Sequence, residues 1–270
     1  MALAAQDIAF TGSVAELYER LLVPLIFQPY ADDLANRVAA LASARVLETA
    51  AGTGVVTRAM TQRLGARAEI TATDLNTAMI EQAKRQLPDK RVQWAQADAL
   101  KLPYESGTYD AVVCQFGAMF FPDRVAGYKE ARRVLKPTGT FLFNVWDRIS
   151  DNEFADVVTQ EVGKLFPSDP PLFLARTPHG YHDLDQIRKD VAAAGYSDIR
   201  IESLEAVSRA NSARDVAVAY CEGTPLRGEI EARDKTGLGR ATDAATKALD
   251  KRYGKGPIEA PIKAIIVTAR

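Results

Sequence analysis

The sequence predicts an α/β fold in which a doubly wound, mostly parallel sheet carries helices on both faces. Short apolar runs alternate with segments of helical pattern through most of the chain. Several of these runs, such as 109–115 and 140–146, are mostly apolar, as expected of strands that are buried on both faces of a parallel sheet. A loop of small residues, Ala50 to Gly54, directly follows the first run.

The individual elements follow from these runs and from the residues that interrupt them. We expect strands at 44–49, 69–73, 91–94, 109–115, 140–146, 198–204 and 262–268. One helix is expected between the loop of small residues and residue 64. Others are expected at 77–87, 124–135 and 183–194, with further helical segments across 212–253. Asn76 is suited to capping one of them and Asp183 and Asp185 to capping another. Gly65, Pro88 and Gly195 are suited to ending them. A turn at 137–139 precedes the fifth strand.

The alternation breaks between Asp147 and His182, a segment that contains four prolines. We interpret it as a loop-rich insertion. The expected organisation is one domain over residues 1–270, with a core at about 40–147 and 183–270. Residues 1–39 and 148–182 would form a helical and loop cap over the active end of the sheet.

Composition narrows the classes of function. Apolar residues make up 47% of the 270 residues, and 34 Lys and Arg against 35 Asp and Glu leave a net charge of -1. Binding to nucleic acid through phosphate attraction is therefore not expected. Cys114 and Cys221 suit reduced thiols in a cytoplasm. No apolar run reaches the length of a membrane span, and the N-terminal residues lack a signal-peptide pattern.

The first loop and two aspartates point to a nucleotide-like ligand. Gly52 and Gly54 allow close approach of the backbone, and the helix that follows presents free N–H groups. Asp74 ends the second strand, 20 residues after Gly54, where an acid can accept hydrogen bonds from ribose hydroxyls. Asp98 follows the third strand, within reach of an adenine amino group. Ligands of such sheets bind beyond the carboxyl ends of the strands.

From about Arg45 to Trp146 the chain resembles the class I S-adenosylmethionine (AdoMet)-dependent methyltransferases, in the group that includes quinone C-methyltransferases and small-metabolite methyltransferases. The motifs that match are Glu48-x-Ala50-x-Gly52-x-Gly54, with alanine at the first glycine position, Tyr109–Gln115 and Leu135–Thr140. The resemblance implies a Rossmann-like, seven-stranded sheet with an antiparallel last strand. It also implies AdoMet as cofactor, S-adenosylhomocysteine (AdoHcy) as product, and a small, partly apolar methyl acceptor. The implied cofactor-binding residues are Glu48, Ala50, Gly52, Thr53, Gly54, Asp74, Leu75, Asp98, Ala99 and Gln115.

Two other functions compete with methyl transfer. A nicotinamide-dependent oxidoreductase would carry Gly-x-Gly-x-x-Gly, but Thr57 stands at the last of these positions, and no Tyr-x-x-x-Lys pair occurs. A catalytically silent AdoMet-binding protein would keep the same cofactor residues, and turnover with a panel of acceptors would distinguish it. Nothing in the sequence indicates the oligomeric state.

The acceptor is expected to meet an apolar surface after the fourth strand. The predicted substrate-binding residues are Tyr18, Phe27, Phe116, Met119 and Phe120. His179 and His182 would share a face if they lay on a helix, and they are the candidates for a general base. No metal site is expected, because no cysteine or further histidine lies near them. The charged stretch 227–240 is expected to be solvated.

Overall fold

The structure is a computed structural model and describes residues 13–270. The signal-peptide prediction concerns residues that lie outside this range, as does the first part of the predicted cap. The strands are β1 (Arg45–Glu48), β2 (Glu69–Asp74), β3 (Val92–Gln96), β4 (Tyr109–Gln115), β5 (Leu135–Trp146), β6 (Ile199–Ala210) and β7 (Ile258–Ala269).

The described α-helices precede and separate these strands. They are α1 (Ser13–Leu17), α2 (Gln28–Ala40), α3 (Val55–Arg63), α4 (Thr77–Gln86), α5 (Arg124–Val134), α6 (Glu153–Leu165), α7 (Phe173–Arg176), α8 (Leu184–Ala193), α9 (Ala213–Glu222), α10 (Leu226–Arg233) and α11 (Leu238–Tyr253). A π-helical segment, Tyr18–Phe27, connects α1 to α2. Asn76 and Asp183 cap α4 and α8 through their side chains, as the sequence predicts. Asp185, the other cap predicted for α8, instead lies in its first turn and donates its N–H to Asp183.

The seven strands form one sheet in the order β3-β2-β1-β4-β5-β7-β6. Strand β1 is parallel to both β2 and β4, strand β5 is parallel to β4, and the last strand is antiparallel. The predicted Rossmann-like fold is confirmed. Because β1 lies between β2 and β4, the order of strands reverses at β1, and a crevice for ligands is expected beyond its carboxyl end.

The chain divides into two compact units. One comprises the residues up to Phe27 with Trp146–Tyr181 and Glu205–Lys263, and the other comprises Gln28–Val145, His182–Leu204 and Ala264–Arg270. The single domain with its cap stays a prediction. Between residues 13 and 270, no helix combines the length and the hydropathy needed to cross a membrane.

The prediction of a loop-rich segment from Asp147 to His182 is wrong for its first half. Helix α6 runs for 13 residues and buries an apolar face that includes Phe154, Val158 and Val162. All four prolines of the segment follow this helix in the sequence, so none interrupts its hydrogen bonds. The four prolines lie only in the second half of the segment, so the composition of the whole segment hides the helical periodicity of its first half.

The turn predicted at 137–139 lies inside β5 rather than before it. Tyr109 of β4 pairs with Leu135, and the next pair joins Ala111 to Thr140. The residues between Leu135 and Thr140 therefore interrupt the pairing with β4. Strands β6 and β7 also extend beyond their predicted ends. For β6 the reason is that it is an edge strand with charged and half-exposed residues, so a search for apolar runs does not find its full length.

Candidate active site

The loop between β1 and α3 has the backbone geometry of a ligand cradle. Ala50, Gly52 and Gly54 have positive φ angles of 52°, 56° and 82°. Only glycine adopts this region without strain, so the alanine is held there by its surroundings. Gly54 precedes α3, and within the described residues no side chain caps this helix. Its first N–H groups are therefore suited to an anionic group such as the carboxylate of AdoMet.

Asp74, at the end of β2, is bonded to this loop. Its Oδ2 accepts a hydrogen bond from the Gly52 N–H at 2.8 Å, and its Oδ1 accepts one from the Asn76 N–H at 2.7 Å. Burial raises the pKa of Asp74, although both N–H bonds oppose the shift. A carboxylate offers about four acceptor positions. Two of them remain for hydroxyl donors, which fits the predicted ribose contact.

The next strand end lies beside Asp74. The Ala97 N–H donates to the Asp74 carbonyl oxygen at 3.1 Å, and Asp98 follows. Asp98 is exposed, and its Oδ1 accepts from the Leu100 N–H at 2.9 Å. Leu75 is an unusual apolar residue here, since 53% of its surface is exposed. An exposed leucine and an exposed carboxylate near the same edge fit an adenine ring, and the contacts of Leu75, Asp98 and Ala99 with the cofactor stay predictions.

Glu48, the acid of the first motif, is fully buried and braces the loop. Its Oε2 accepts a hydrogen bond from Thr57 Oγ1 at 2.5 Å, and its carbonyl oxygen accepts one from Thr73 Oγ1 at 2.9 Å. These bonds tie β1 to α3 and to β2. Burial raises the pKa of Glu48 to about 8. Direct contact of Glu48 or Thr53 with the cofactor remains a prediction.

The segment after β4 meets the glycine loop at the switch point. Gln115 is buried at the end of β4, and Phe116 has a φ angle of 49°. A Cβ atom added to Gly117 would lie 2.4 Å from Ala50 Cβ and 2.8 Å from Cys114 Sγ. The loops after β1 and β4 are therefore in contact, and glycine is required between them.

The predicted substrate residues occupy two regions. Met119 is buried and Phe120 half-buried in a 3₁₀ turn, Ala118–Phe120, shortly after β4. Tyr18 stacks on Phe27 with ring centroids 4.9 Å apart, within the other compact unit. Contact of these four side chains and Phe116 with an acceptor stays a prediction.

The two histidines do not lie on a helix, so they share no helical face. Both follow α7, and Pro178 and Gly180 break the helical path. A Cβ atom at Gly180 would lie 2.1 Å from the Arg176 carbonyl oxygen, so this tight turn requires glycine. His179 is buried, and its Nδ1 donates to the Asp147 carbonyl oxygen at 2.8 Å. His182 is half-buried. Among residues 13–270, no group of three His, Cys, Asp or Glu side chains is arranged to hold a metal.

Glu229 is an exception to the solvated stretch predicted at 227–240. Its side chain is buried, and its carboxylate accepts hydrogen bonds from the N–H groups of Leu172 and Phe173 at 2.8 and 3.1 Å. Arg176 Nη2 donates to it at 2.8 Å. Glu229 therefore holds α7 in place, although it lies 53 residues after Arg176 and 57 residues after Leu172 in the sequence. Charge density alone could not separate this residue from its exposed neighbours.

Two further residues at this site have roles that the sequence reasoning did not find. Cys114 is buried with its Sγ beside Gly117, and burial raises the pKa of its thiol to about 11. Asn144 is fully buried on β5, and its side chain bonds the Phe116 N–H. A polar residue within the apolar run Thr140–Trp146 is the signal that could have identified Asn144.

Comparisons with known proteins agree with this site. A family model described as a methyltransferase domain matches residues 47–143. The chain is 30% identical to the ubiquinone/menaquinone biosynthesis C-methyltransferase UbiE of Chromobacterium violaceum, over 59% of this chain and 70% of the relative. The corresponding values for UbiE of Idiomarina loihiensis are 28%, 59% and 69%.

A solved structure supports the fold independently. The YcgJ protein of Bacillus subtilis superposes with a TM-score of 0.57 at 20% identity, covering 89% of this chain and 97% of that one. The methyltransferase relatives, rather than the shared fold, set aside the nicotinamide alternative, and turnover with a panel of acceptors distinguishes an enzyme from a silent AdoMet-binding protein. The chain belongs to the class I S-adenosylmethionine-dependent methyltransferases, enzymes that transfer a methyl group from this cofactor, here to a small molecule.

Proposed function

We propose that the methyl acceptor is a small, partly apolar molecule that lies against Phe116–Phe121, and that a reduced quinone ring is the first class to test. The observation that carries this proposal is the apolar segment after β4. Within it, Phe116, Met119 and Phe121 are buried and Phe120 is half-exposed. The names of the curated relatives, C-methyltransferases of ubiquinone and menaquinone biosynthesis, support the quinone class.

The residues of the glycine loop would hold the cofactor. The N–H groups at the start of α3 suit its carboxylate, and Asp74 has acceptor positions for its ribose hydroxyls. Leu75, Asp98 and Ala99 would bind the adenine, and Gln115 would lie near the methionine end. When bound, AdoMet supplies an electrophilic methyl group, so the chain's own task is to orient the acceptor and exclude water. Orientation of this kind can lower a barrier by about 7–11 kcal/mol.

A general base is required only if the acceptor atom must lose a proton. His179 and His182 remain the candidates. Replacing each with Ala and recording turnover from pH 6 to pH 9 tests them separately. The variant that removes a base loses most of its rate and its pH dependence, whereas full turnover across this range excludes that histidine as the base.

Calorimetry and a methyl-transfer assay test the whole proposal. We expect heat on titration with AdoHcy, none with NADH, and transfer of labelled methyl groups to short-chain reduced quinones. Phe120→Ala should impair acceptor use and leave the AdoHcy affinity unchanged. Phe166→Ala removes another half-buried phenylalanine, at the end of α6, and serves as the matched control. Equal loss of AdoHcy and acceptor binding in a folded Phe120→Ala protein would contradict the placement.

The cellular location is proposed on chemical grounds. Cys114 and Cys221 are both buried free thiols, a state favoured by a reducing compartment such as the cytoplasm. Thiol titration of the protein isolated under non-reducing conditions tests this, because oxidised cysteines would argue for another compartment.

A further inference from the structure

We infer that Asn144 is a positioning residue for methyl transfer, because its side-chain oxygen holds the strained turn that follows β4. Asn144 lies on β5, where it pairs with Gln115, the last residue of β4. The inference rests on the proposed function, in which the acceptor lies against Phe116–Phe121. It adds a residue that does not touch the acceptor and acts through the backbone of Phe116.

The strain lies at Phe116. A φ angle of 49° puts a bulky side chain in the left-handed region, which such residues rarely adopt. Backbone conformations of this kind persist only where several contacts enforce them, and they are concentrated at functional sites. Several contacts act directly on Phe116, and two of them involve side chains of other elements. Asn144 Oδ1 accepts its N–H at 2.9 Å, and the Tyr30 ring packs edge-on against its ring with centroids 5.4 Å apart.

The identity of residue 144 matters beyond its backbone. The Asn144 carbonyl oxygen accepts the same Phe116 N–H at 3.1 Å, and a residue of any type would supply that bond. The second and shorter bond, at 2.9 Å, depends on the side chain. Two acceptors on one N–H restrict its direction more than one does. This direction fixes the peptide plane before Phe116, which is one of the two planes whose relative rotation defines φ.

The side-chain amide of Asn144 is unfavourable for the stability of the folded state. Asn144 has no exposed surface, and its neighbours Phe143 and Val145 are equally buried. Its Nδ2 is buried without a hydrogen-bond partner among residues 13–270. A buried polar group without a partner destabilises the folded state, and an apolar residue of similar shape removes that penalty. A residue that served stability alone would therefore be apolar here.

The turn has little freedom to adjust if this bond is lost. Gly117 is enclosed so closely that an added Cβ would lie 2.4 Å from Ala50 Cβ, in the glycine loop. The same added Cβ would lie 2.8 Å from Cys114 Sγ. A change in the Phe116 backbone should therefore displace Met119 and Phe120, the residues proposed to contact the acceptor.

Asn144→Leu tests the inference in the full chain. We expect the melting temperature to stay the same or rise and the AdoHcy affinity to remain unchanged. We expect kcat with a short-chain reduced quinone to fall by about tenfold to 100-fold, the loss that a misplacement of about 1 Å produces. A residue with a merely structural role would instead lower the melting temperature and leave kcat unaffected.

Two other variants complete the test. Asn144→Asp keeps the acceptor oxygen and should retain more kcat than the leucine variant. Val145→Ala, at the next buried position of β5, should lower the melting temperature with no comparable loss of kcat. If the wild-type protein methylates no reduced quinone, the proposed acceptor is wrong. If it does, a folded Asn144→Leu protein with wild-type kcat overturns the role of Asn144, as does a folded Asn144→Asp protein with no more activity than Asn144→Leu.

Discussion

Replacing Asp74 with alanine should damage both the stability of the free protein and its affinity for the cofactor. In the free protein the carboxylate accepts two backbone hydrogen bonds, from Gly52 at 2.8 Å and Asn76 at 2.7 Å. Hydrogen bonds to charged groups contribute about 1.5–3 kcal/mol each. Water can reach part of this half-buried site, so we expect the free energy of unfolding to fall by about 3 kcal/mol in total.

The loss of affinity comes from a different part of the same carboxylate. The two acceptor positions left over by the backbone bonds would bind the ribose hydroxyls. Their removal leaves those hydroxyls without charged acceptors, at a loss of about 1.5–3 kcal/mol. Since 1.4 kcal/mol corresponds to a factor of ten, the Kd for AdoHcy should rise by about tenfold to 150-fold.

Urea denaturation and isothermal titration calorimetry measure the two effects separately. Asp183→Ala is the matched control, because Asp183 also accepts two backbone N–H bonds, at 2.9 and 3.0 Å, as the cap of α8. Loss of that exposed cap should lower stability by about 0.5–2 kcal/mol and leave the Kd for AdoHcy unchanged. An unchanged Kd in a folded Asp74→Ala protein would refute the assignment of Asp74 to the ribose.

Three further predictions follow from buried contacts. Burial raises the pKa of Glu48 from 4.5 to about 8, so Glu48 binds a proton more tightly in the folded state than in the unfolded state. The free energy of unfolding should therefore fall by as much as about 5 kcal/mol between pH 4.5 and a pH above 8. Urea denaturation measures this loss, which should be absent in Glu48→Gln. Gly117→Ala should lower stability by about 1–3 kcal/mol and weaken AdoHcy binding, because its Cβ would overlap Ala50; full AdoHcy affinity by calorimetry would contradict this. Glu229→Ala should lower the free energy of unfolding by about 3–5 kcal/mol, because Arg176 and two backbone N–H groups lose their buried carboxylate partner. A loss below 1 kcal/mol in urea denaturation would argue against burial of the Glu229 carboxylate.

Features encoded over short distances were predictable from the sequence. The limits of β4 and the side-chain caps of α4 and α8 were found because apolar runs and capping residues act within a few positions. The residues of the glycine loop were found for the same reason, since a strand end, a turn and a helix start are consecutive there. Helix α6 was missed because the four prolines that follow it were counted with it.

Other features depend on residues that are distant in sequence and meet only in the folded chain. Asn144 is 28 residues from Phe116, and nothing local indicates that its side chain restrains that backbone. Glu229 resembles its charged neighbours until α7 is packed against it. Glu48 and Asp74 could be recognised as acids at strand ends, but their burial and their bonds to Thr57 and to Gly52 and Asn76 require the assembled sheet. Local sequence therefore determined the elements, the glycine loop and the resemblance to the family. Only the packing of β1, β4 and β5 decided which backbone is strained and which side chain restrains it, because these contacts form between strands rather than along them.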